Sequence, residues 1–349
     1  MRQAAKSDIA ALWIRRWLIL IAVMVYAMIL IGGMTRLTDS GLSITEWDPI
    51  SGALPPIGAD AWASEFAKYQ QTTEFQQQNF NMTMAEFQYI YWWEWGHRLF
   101  GRLIGLVAIG GFAWFWLKGW LTKPLAGHLL GLIALGGLQG AIGWWMVSSG
   151  IGETDRLDVA PYRLATHFVL ALVIIGYTVW LWLDLGRREG LAVSSRLKLV
   201  SVLMLGLIFL QMASGALVAG LDAGRTYTDW PLMAGELVPS HYFHAELGLR
   251  SLFEGREATQ FNHRLLAYVI WGLSLAVLVM RYGKPGAREF ATLATLVTLQ
   301  AAWGIITLVN GAPLKLAILH QALGVAVFVA SVRLVWLTAR QQPQSAASA

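Results

Sequence analysis

Eight runs of apolar residues divide the chain, at about 17–35, 99–117, 125–147, 164–185, 199–221, 265–282, 290–309 and 314–337. Each is close to the roughly 20 residues a helix needs to cross the hydrocarbon core of a bilayer. Tryptophans gather near the ends of the runs, as interfacial anchors do. The pattern predicts an all-α integral membrane protein with eight transmembrane helices.

Composition strengthens that picture. Only 13% of the 349 residues are charged, against roughly 25% in soluble domains, and mean hydropathy is +0.51. Lys and Arg concentrate in alternate connections. They are Arg2, Lys6, Arg15 and Arg16 at the N-terminus, Lys118 and Lys123 in the second connection, Arg187, Arg188, Arg196 and Lys198 in the fourth, and Arg281, Lys284 and Arg288 in the sixth. This bias predicts that both termini are cytoplasmic, and it accounts for the net charge of +5 without nucleic-acid binding. No signal with a cleavage site precedes the first run, which points to a bacterial plasma membrane. There are no cysteines, so metal chemistry must rest on His and carboxylates.

The connections hold an internal repeat. Gly32, Gly41, Trp47, Gly52 and Pro56 recur 183 positions later as Gly215, Gly224, Trp230, Gly235 and Pro239. His97-Arg98-Leu99 recurs 166 positions later as His263-Arg264-Leu265, and Leu135, Gln139 and Gly150 recur 161 later as Leu296, Gln300 and Gly311. His167 and His320 close similar segments. The expected architecture is therefore two duplicated four-helix bundles, residues 1–190 and 191–349, of parallel topology. Thr83-x-x-Glu86 and Ser251-x-x-Glu254 each fit a capping box at the end of a long outer loop. Residues 60–70 suit a short interfacial helix, and the polar tail after Arg340 suits disorder.

The chemistry centres on Glu94-Trp95-Gly96-His97-Arg98-Leu99-Phe100-Gly101-Arg102, at the start of the second run. Ionisable groups at such depth are costly and are read as functional. His97, His167, His263 and His320 stand near the outer ends of the second, fourth, sixth and eighth spans, two per half. Two facing imidazoles in a bundle suit a six-coordinate heme iron, whereas zinc usually takes three or four protein ligands. Arg98 and Arg264 are placed to pair with heme propionates, or else simply snorkel to the interface. His128, His241 and His244 read as structural or surface groups. The halves differ where Glu94 is matched by Gln260, since Gln cannot transfer a proton at neutral pH. This assigns proton-coupled chemistry to the N-terminal half and electron transfer to the C-terminal half. The structural alternative is an ion pair of Glu94 with Arg98 or Arg102.

The run Gly32-Gly33-Met34-Thr35-Arg36-Leu37-Thr38-Asp39-Ser40-Gly41-Leu42-Ser43, with Glu94-x-x-His97-Arg98, His167, His263-Arg264 and His320, closely resembles heme A synthases, in particular their cysteine-free branch in proteobacteria and mitochondria. The resemblance implies a membrane heme-dependent oxidoreductase that converts the C8 methyl of heme O to a formyl group, giving heme A for terminal oxidases. It implies a heme b cofactor held through its iron by His263 and His320, with Arg264 beside it. The substrate heme would lie at His97 and His167 near Arg36 and Arg98, with Glu94 as catalytic carboxylate. The implied setting is a bacterial inner membrane, with the heme sites toward the periplasm. The implied partners are lipid, a heme O synthase in direct contact, an electron carrier and further copies of the chain. A diheme cytochrome b taking electrons from quinol explains the histidines but not the one-sided Glu94. A transporter with parallel repeats leaves the paired histidines without a role.

Overall fold

The computed structural model describes residues 2–152, 154–186 and 189–340. Arg187, Arg188 and the tail after Arg340 lie outside the described residues. Eleven α-helices follow in order among them. They are α1 (Arg2–Leu37), α2 (Ala59–Tyr69), α3 (Thr73–Gln77), α4 (Met84–Leu117), α5 (Lys123–Val147), α6 (Pro161–Asp184), α7 (Ser195–Gly220), α8 (Ser251–Glu254), α9 (Arg256–Arg281), α10 (Ala287–Val309) and α11 (Leu314–Ala339). Eight of these are long and apolar enough to cross a membrane: α1 from Asp8 onward, α4, α5, α6, α7, α9, α10 and α11. Apart from a paired turn at Met233 and Glu236, the described residues contain no extended pairing. Large apolar side chains such as Leu106, Ile109, Leu130, Leu203 and Val269 remain exposed along the spans. That outer surface suits acyl chains, which solvate Leu as well as a protein core does.

The chain forms two compact units, Leu20–Ile174 and a second made of Met1–Ile19 with Ile175–Ala349. Their boundaries fall inside α1 and α6. In the first unit, α4 begins well before its apolar run because the capping box forms. Thr83 Oγ1 accepts from Glu86 N, and Glu86 Oε2 accepts from Thr83 N at 2.8 Å. One continuous helix therefore carries Glu94, His97, Arg98 and Arg102 at i, i+3, i+4 and i+8, on one face. The short helix expected over residues 60–70 forms as α2. It is fixed to α4 by aromatic packing, with Phe66 stacked on Phe87 at 4.9 Å and Trp62 edge-on to Tyr91 at 5.0 Å. Such pairs add about 0.5–1.5 kcal/mol beyond simple burial. The outer loop is thus a folded cover over the helix ends.

In the second unit α7, α9, α10 and α11 pack as a bundle, with α7 and α10 each touching both α9 and α11. Of the eight spans α11 is the most buried, and it brings Trp336, Phe328 and Val325 into the core. The capping box expected at Ser251 does not form. Ser251 Oγ instead donates to His244 O and accepts from His244 N, both at 3.0 Å. With that hydroxyl committed to the loop, residues 251–254 make a single separate turn, and α9 starts afresh after Gly255.

Candidate functional site

Each unit holds two of the four histidines: His97 on α4 with His167 on α6, and His263 on α9 with His320 on α11. Within each unit the two imidazoles lie in electrostatic range of one another. All four rings are half-buried and keep accessible surface. Each ring also lies against a glycine of a neighbouring helix. A Cβ at Gly143 would meet His167 Cε1 at 2.9 Å, one at Gly215 would meet His263 Cε1 at 3.1 Å, and one at Gly304 would meet His320 Cε1 at 2.8 Å. At Gly32 the nearest ring atom is His97 Nε2, at 3.3 Å. An alanine at any of these positions would crowd the imidazole, so glycine here leaves the ring its place.

Three glutamines complete the arrangement. Gln139 Nε2 donates to His167 O at 3.0 Å, Gln211 Nε2 to His263 O at 3.1 Å, and Gln300 Nε2 to His320 O at 3.0 Å. The same amide nitrogens lie 3.3 Å from both ring nitrogens of His167 and 3.2 Å from both of His263. One donor cannot point at two nitrogens of one ring, so the amide lies against the imidazole rather than bonding along one lone pair. The side-chain oxygens of all three glutamines are buried and unpartnered, as is His320 Nδ1. In the sequence Gln139 and Gln300 stand out only as repeat positions, and Gln211 not at all. The available signal was Gln-x-x-x-Gly, which precedes each of these three histidines.

Glu94 is 3% exposed and carries a full set of donors. Its Oε2 accepts from Ser43 Oγ at 2.8 Å and from Ile44 N at 2.9 Å, and its Oε1 accepts from Arg98 Nε at 3.1 Å and Nη2 at 2.6 Å. Arg98 also donates to Ile44 O and Glu46 O and lies 5.8 Å from the Trp144 ring. The ion pair of Glu94 is therefore with Arg98. Arg102 instead holds the loop through Pro49 O and Asp48 O. Arg36 bridges Asp39 at 3.0 Å and Asp158 at 3.3 Å. A cleft of about 280 Å³ is lined by Arg98 and Arg102 together with Glu46, Ser51 and Tyr91.

The second unit repeats this frame with one change of polarity. Arg264 donates to Tyr227 O at 3.1 Å and to Asp229 O at 3.0 Å, as Arg98 does to Ile44 O and Glu46 O, positions 183 residues earlier. Gln260 is 2% exposed and donates to Tyr227 O at 3.0 Å. Where the first loop turns a backbone N–H toward a carboxylate, the second turns a carbonyl toward an amide. His244, in the second outer loop, bonds Glu257 at 3.0 Å and stands apart from the ring pairs.

Among the described residues no group of three or more His, Asp or Glu side chains could hold a bare metal ion. Two imidazoles per unit suffice only if the metal brings its own in-plane donors, as a porphyrin does. Residues 15–332 match the family described as COX15-CtaA, cytochrome oxidase assembly protein. A heme A synthase of Hyphomonas neptunium is 64% identical over 336 residues, covering 96% of both chains. Those of Maricaulis maris and Roseobacter denitrificans are 49% and 47% identical, each over 93% of this chain and 95% and 88% of their own. A match of this length and identity settles the assignment: the chain belongs to the COX15-CtaA family of cytochrome oxidase assembly proteins.

Proposed function

We propose that the chain is a heme A synthase, a multi-pass enzyme of the bacterial inner membrane that oxidises the C8 methyl of heme O to a formyl group. The names of the relatives support the activity. The observation that carries the site is the buried Glu94 one helical turn from His97, with Gln260 in the matching place beside His263. The ring pairs fit a heme: each imidazole has a glycine wall that a Cβ would fill, and buried acceptors wait beside three of them. His263 and His320 would hold a heme b cofactor, and His97 and His167 the substrate heme. Heme iron, when bound, supplies the redox chemistry of the reaction.

The chain's own residues do the rest. Oxidising a C–H carbon releases protons, and Glu94, which accepts from Arg98, Ser43 and Ile44, would take one. Arg98 and Arg264 fix the loops over the helix ends and present cationic edges for propionates, and Arg36 secures the entry turn through Asp39 and Asp158. The repeated loop frame supports an internal duplication into halves 1–190 and 191–349. The distribution of Lys and Arg supports cytoplasmic termini and histidines toward the periplasm. The apolar flanks would admit an isoprenoid tail from lipid, with heme O delivered by a heme O synthase in direct contact, electrons leaving to a separate carrier, and a homo-oligomer as the assembled form.

The test is Glu94→Gln, expressed with a heme O synthase, with extracted pigments separated by chromatography. The expected result is an unchanged b-type spectrum and loss of heme A by more than about 100-fold, the lower end for removing a general base. Normal heme A would overturn the catalytic assignment of Glu94.

A further inference from the structure

The four imidazoles are not supported alike. Gln139, Gln211 and Gln300 stand four residues before Gly143, Gly215 and Gly304, and each lies against its histidine. Four residues before Gly32, the glycine of His97, stands Met28. Its Cε reaches toward Gly101, one turn beyond His97, where a built Cβ would meet it at 3.1 Å. A thioether is only a weak acceptor. The His97 ring is also turned over: it shows its Nε2–Cδ2 edge to the glycine, whereas the other three show Cε1 and Nδ1.

An imidazole bound to a metal through Nε2 must carry its proton on Nδ1, and such ligands nearly always donate that N–H to a fixed acceptor. In the protein as it stands, an amide N–H faces the rings of His167 and His263 and another lies 3.5 Å from His320 Nε2, while the amide oxygens and His320 Nδ1 have no partner. Ligation would set N–H against N–H. An amide shifted so that its oxygen meets Nδ1–H while its nitrogen keeps the backbone carbonyl would relieve this and satisfy the orphaned acceptor. Resting on the reading of the four histidines as heme ligands, we infer that Gln139, Gln211 and Gln300 are positioning residues that accept the Nδ1–H of His167, His263 and His320. Met28 denies His97 such a partner, so of the four axial positions it is the His97 side that opens. His97 shares a face of α4 with Glu94, so the more readily released ligand would stand beside the carboxylate.

The test uses the full-length protein purified with its heme in detergent. Carbon monoxide binding to the reduced protein and the rate of heme transfer to apomyoglobin are measured. Gln211→Met, which copies the Met28 arrangement into the other unit, should make the b-type heme reactive to carbon monoxide and speed its transfer about tenfold, the lower end for losing a partner of a ligating histidine. Gln211→Glu, which keeps an acceptor, should restore tight, unreactive heme. Met28→Gln should reduce carbon monoxide binding by protein loaded with heme O. If Gln211→Met loads normally and stays within about twofold of wild type in both measurements, the inference falls. If Gln211→Met fails to load heme, loading of Gln211→Glu supports it and equal failure of both overturns it. His263→Ala separates the two levels: survival of the b-type spectrum there would overturn the ligand assignment itself, whereas its loss beside an inert Gln211→Met would overturn only the role of the glutamines.

Discussion

The two loop clamps use the same arginine frame and opposite polarity. Arg98 takes the backbone carbonyls of residues 44 and 46, and Arg264 those of 227, 229 and 232. Between them the first loop offers Ile44 N and Ser43 Oγ to Glu94, and the second offers Tyr227 O to Gln260. A carboxylate is acceptor-only, so it fits the first setting and would face a carbonyl in the second. Ile44 O and Tyr227 O both face the matching arginine, so what differs is the group each loop turns to residue 94 or 260: N–H and hydroxyl donors to Glu94, a carbonyl to Gln260.

The largest effect should come from the ring pairs. His263→Ala or His320→Ala should abolish the low-spin b-type signal of the purified protein, and His97→Ala should leave most of it. Absorption and low-temperature EPR spectra read this directly. The reverse pattern would invert the roles given to the two units.

Next comes the polarity itself. Gln260→Glu places an acceptor against Tyr227 O at a position 2% exposed. An unmet buried group costs about 1–3 kcal/mol, so melting followed at the Soret band should drop by several degrees, less so at acid pH where the new carboxyl keeps its proton. An unchanged melting temperature would mean that the loop does not dictate the residue. On the other side, Ser43→Ala removes one neutral donor from Glu94, worth about 1 kcal/mol, and should lower kcat/KM about fivefold at an unchanged b-type spectrum. Arg98→Lys should cost more, because an ammonium cannot make both the two-nitrogen bond to Glu94 and the two carbonyl bonds.

Part of this arrangement was legible in the chain and part was not. The eight spans follow from apolar run length, and the Glu94–Gln260 contrast from the 166-residue offset. The extension of α1 before its apolar run was not legible, since polar helix beyond the bilayer leaves no hydropathy signal, whereas that of α4 was marked only by the Thr83 capping box. Thr83 capped as its motif suggests, while Ser251 did not, because a hydroxyl that binds loop backbone is unavailable to a helix. Ser43 and Ile44 could not be read as partners of Glu94. Whether a loop turns N–H or C=O inward depends on backbone torsions, which these residue types leave open.

The smallest effect concerns the two outer loops away from the rings. Glu74, on α3, is 2% exposed. Burial above all, then the charges of Asp158, Glu94 and Asp39, push its carboxyl up from 4.5 to about 8, against a small opposing effect of the Tyr69 hydroxyl. Asn79 is its other polar neighbour. Between those two values the unfolded chain releases a proton that the folded loop keeps, so stability falls as pH rises through the window and is unaffected below it. The second loop has the opposite pairing, His244 with Glu257, which raises the imidazole above its ordinary value. That contribution is present below pH 6.5 and fades as pH rises through the raised value, and at an exposed site it is slight. Both loops thus loosen toward alkaline pH, through a carboxyl in one and an imidazole in the other. Glu74→Gln should flatten most of the dependence, raising the melting temperature at pH 8 by several degrees and leaving it unchanged at pH 4. His244→Gln should alter the profile by about a degree or less. If His244→Gln flattened the curve and Glu74→Gln did not, the buried carboxyl would be excluded as the source.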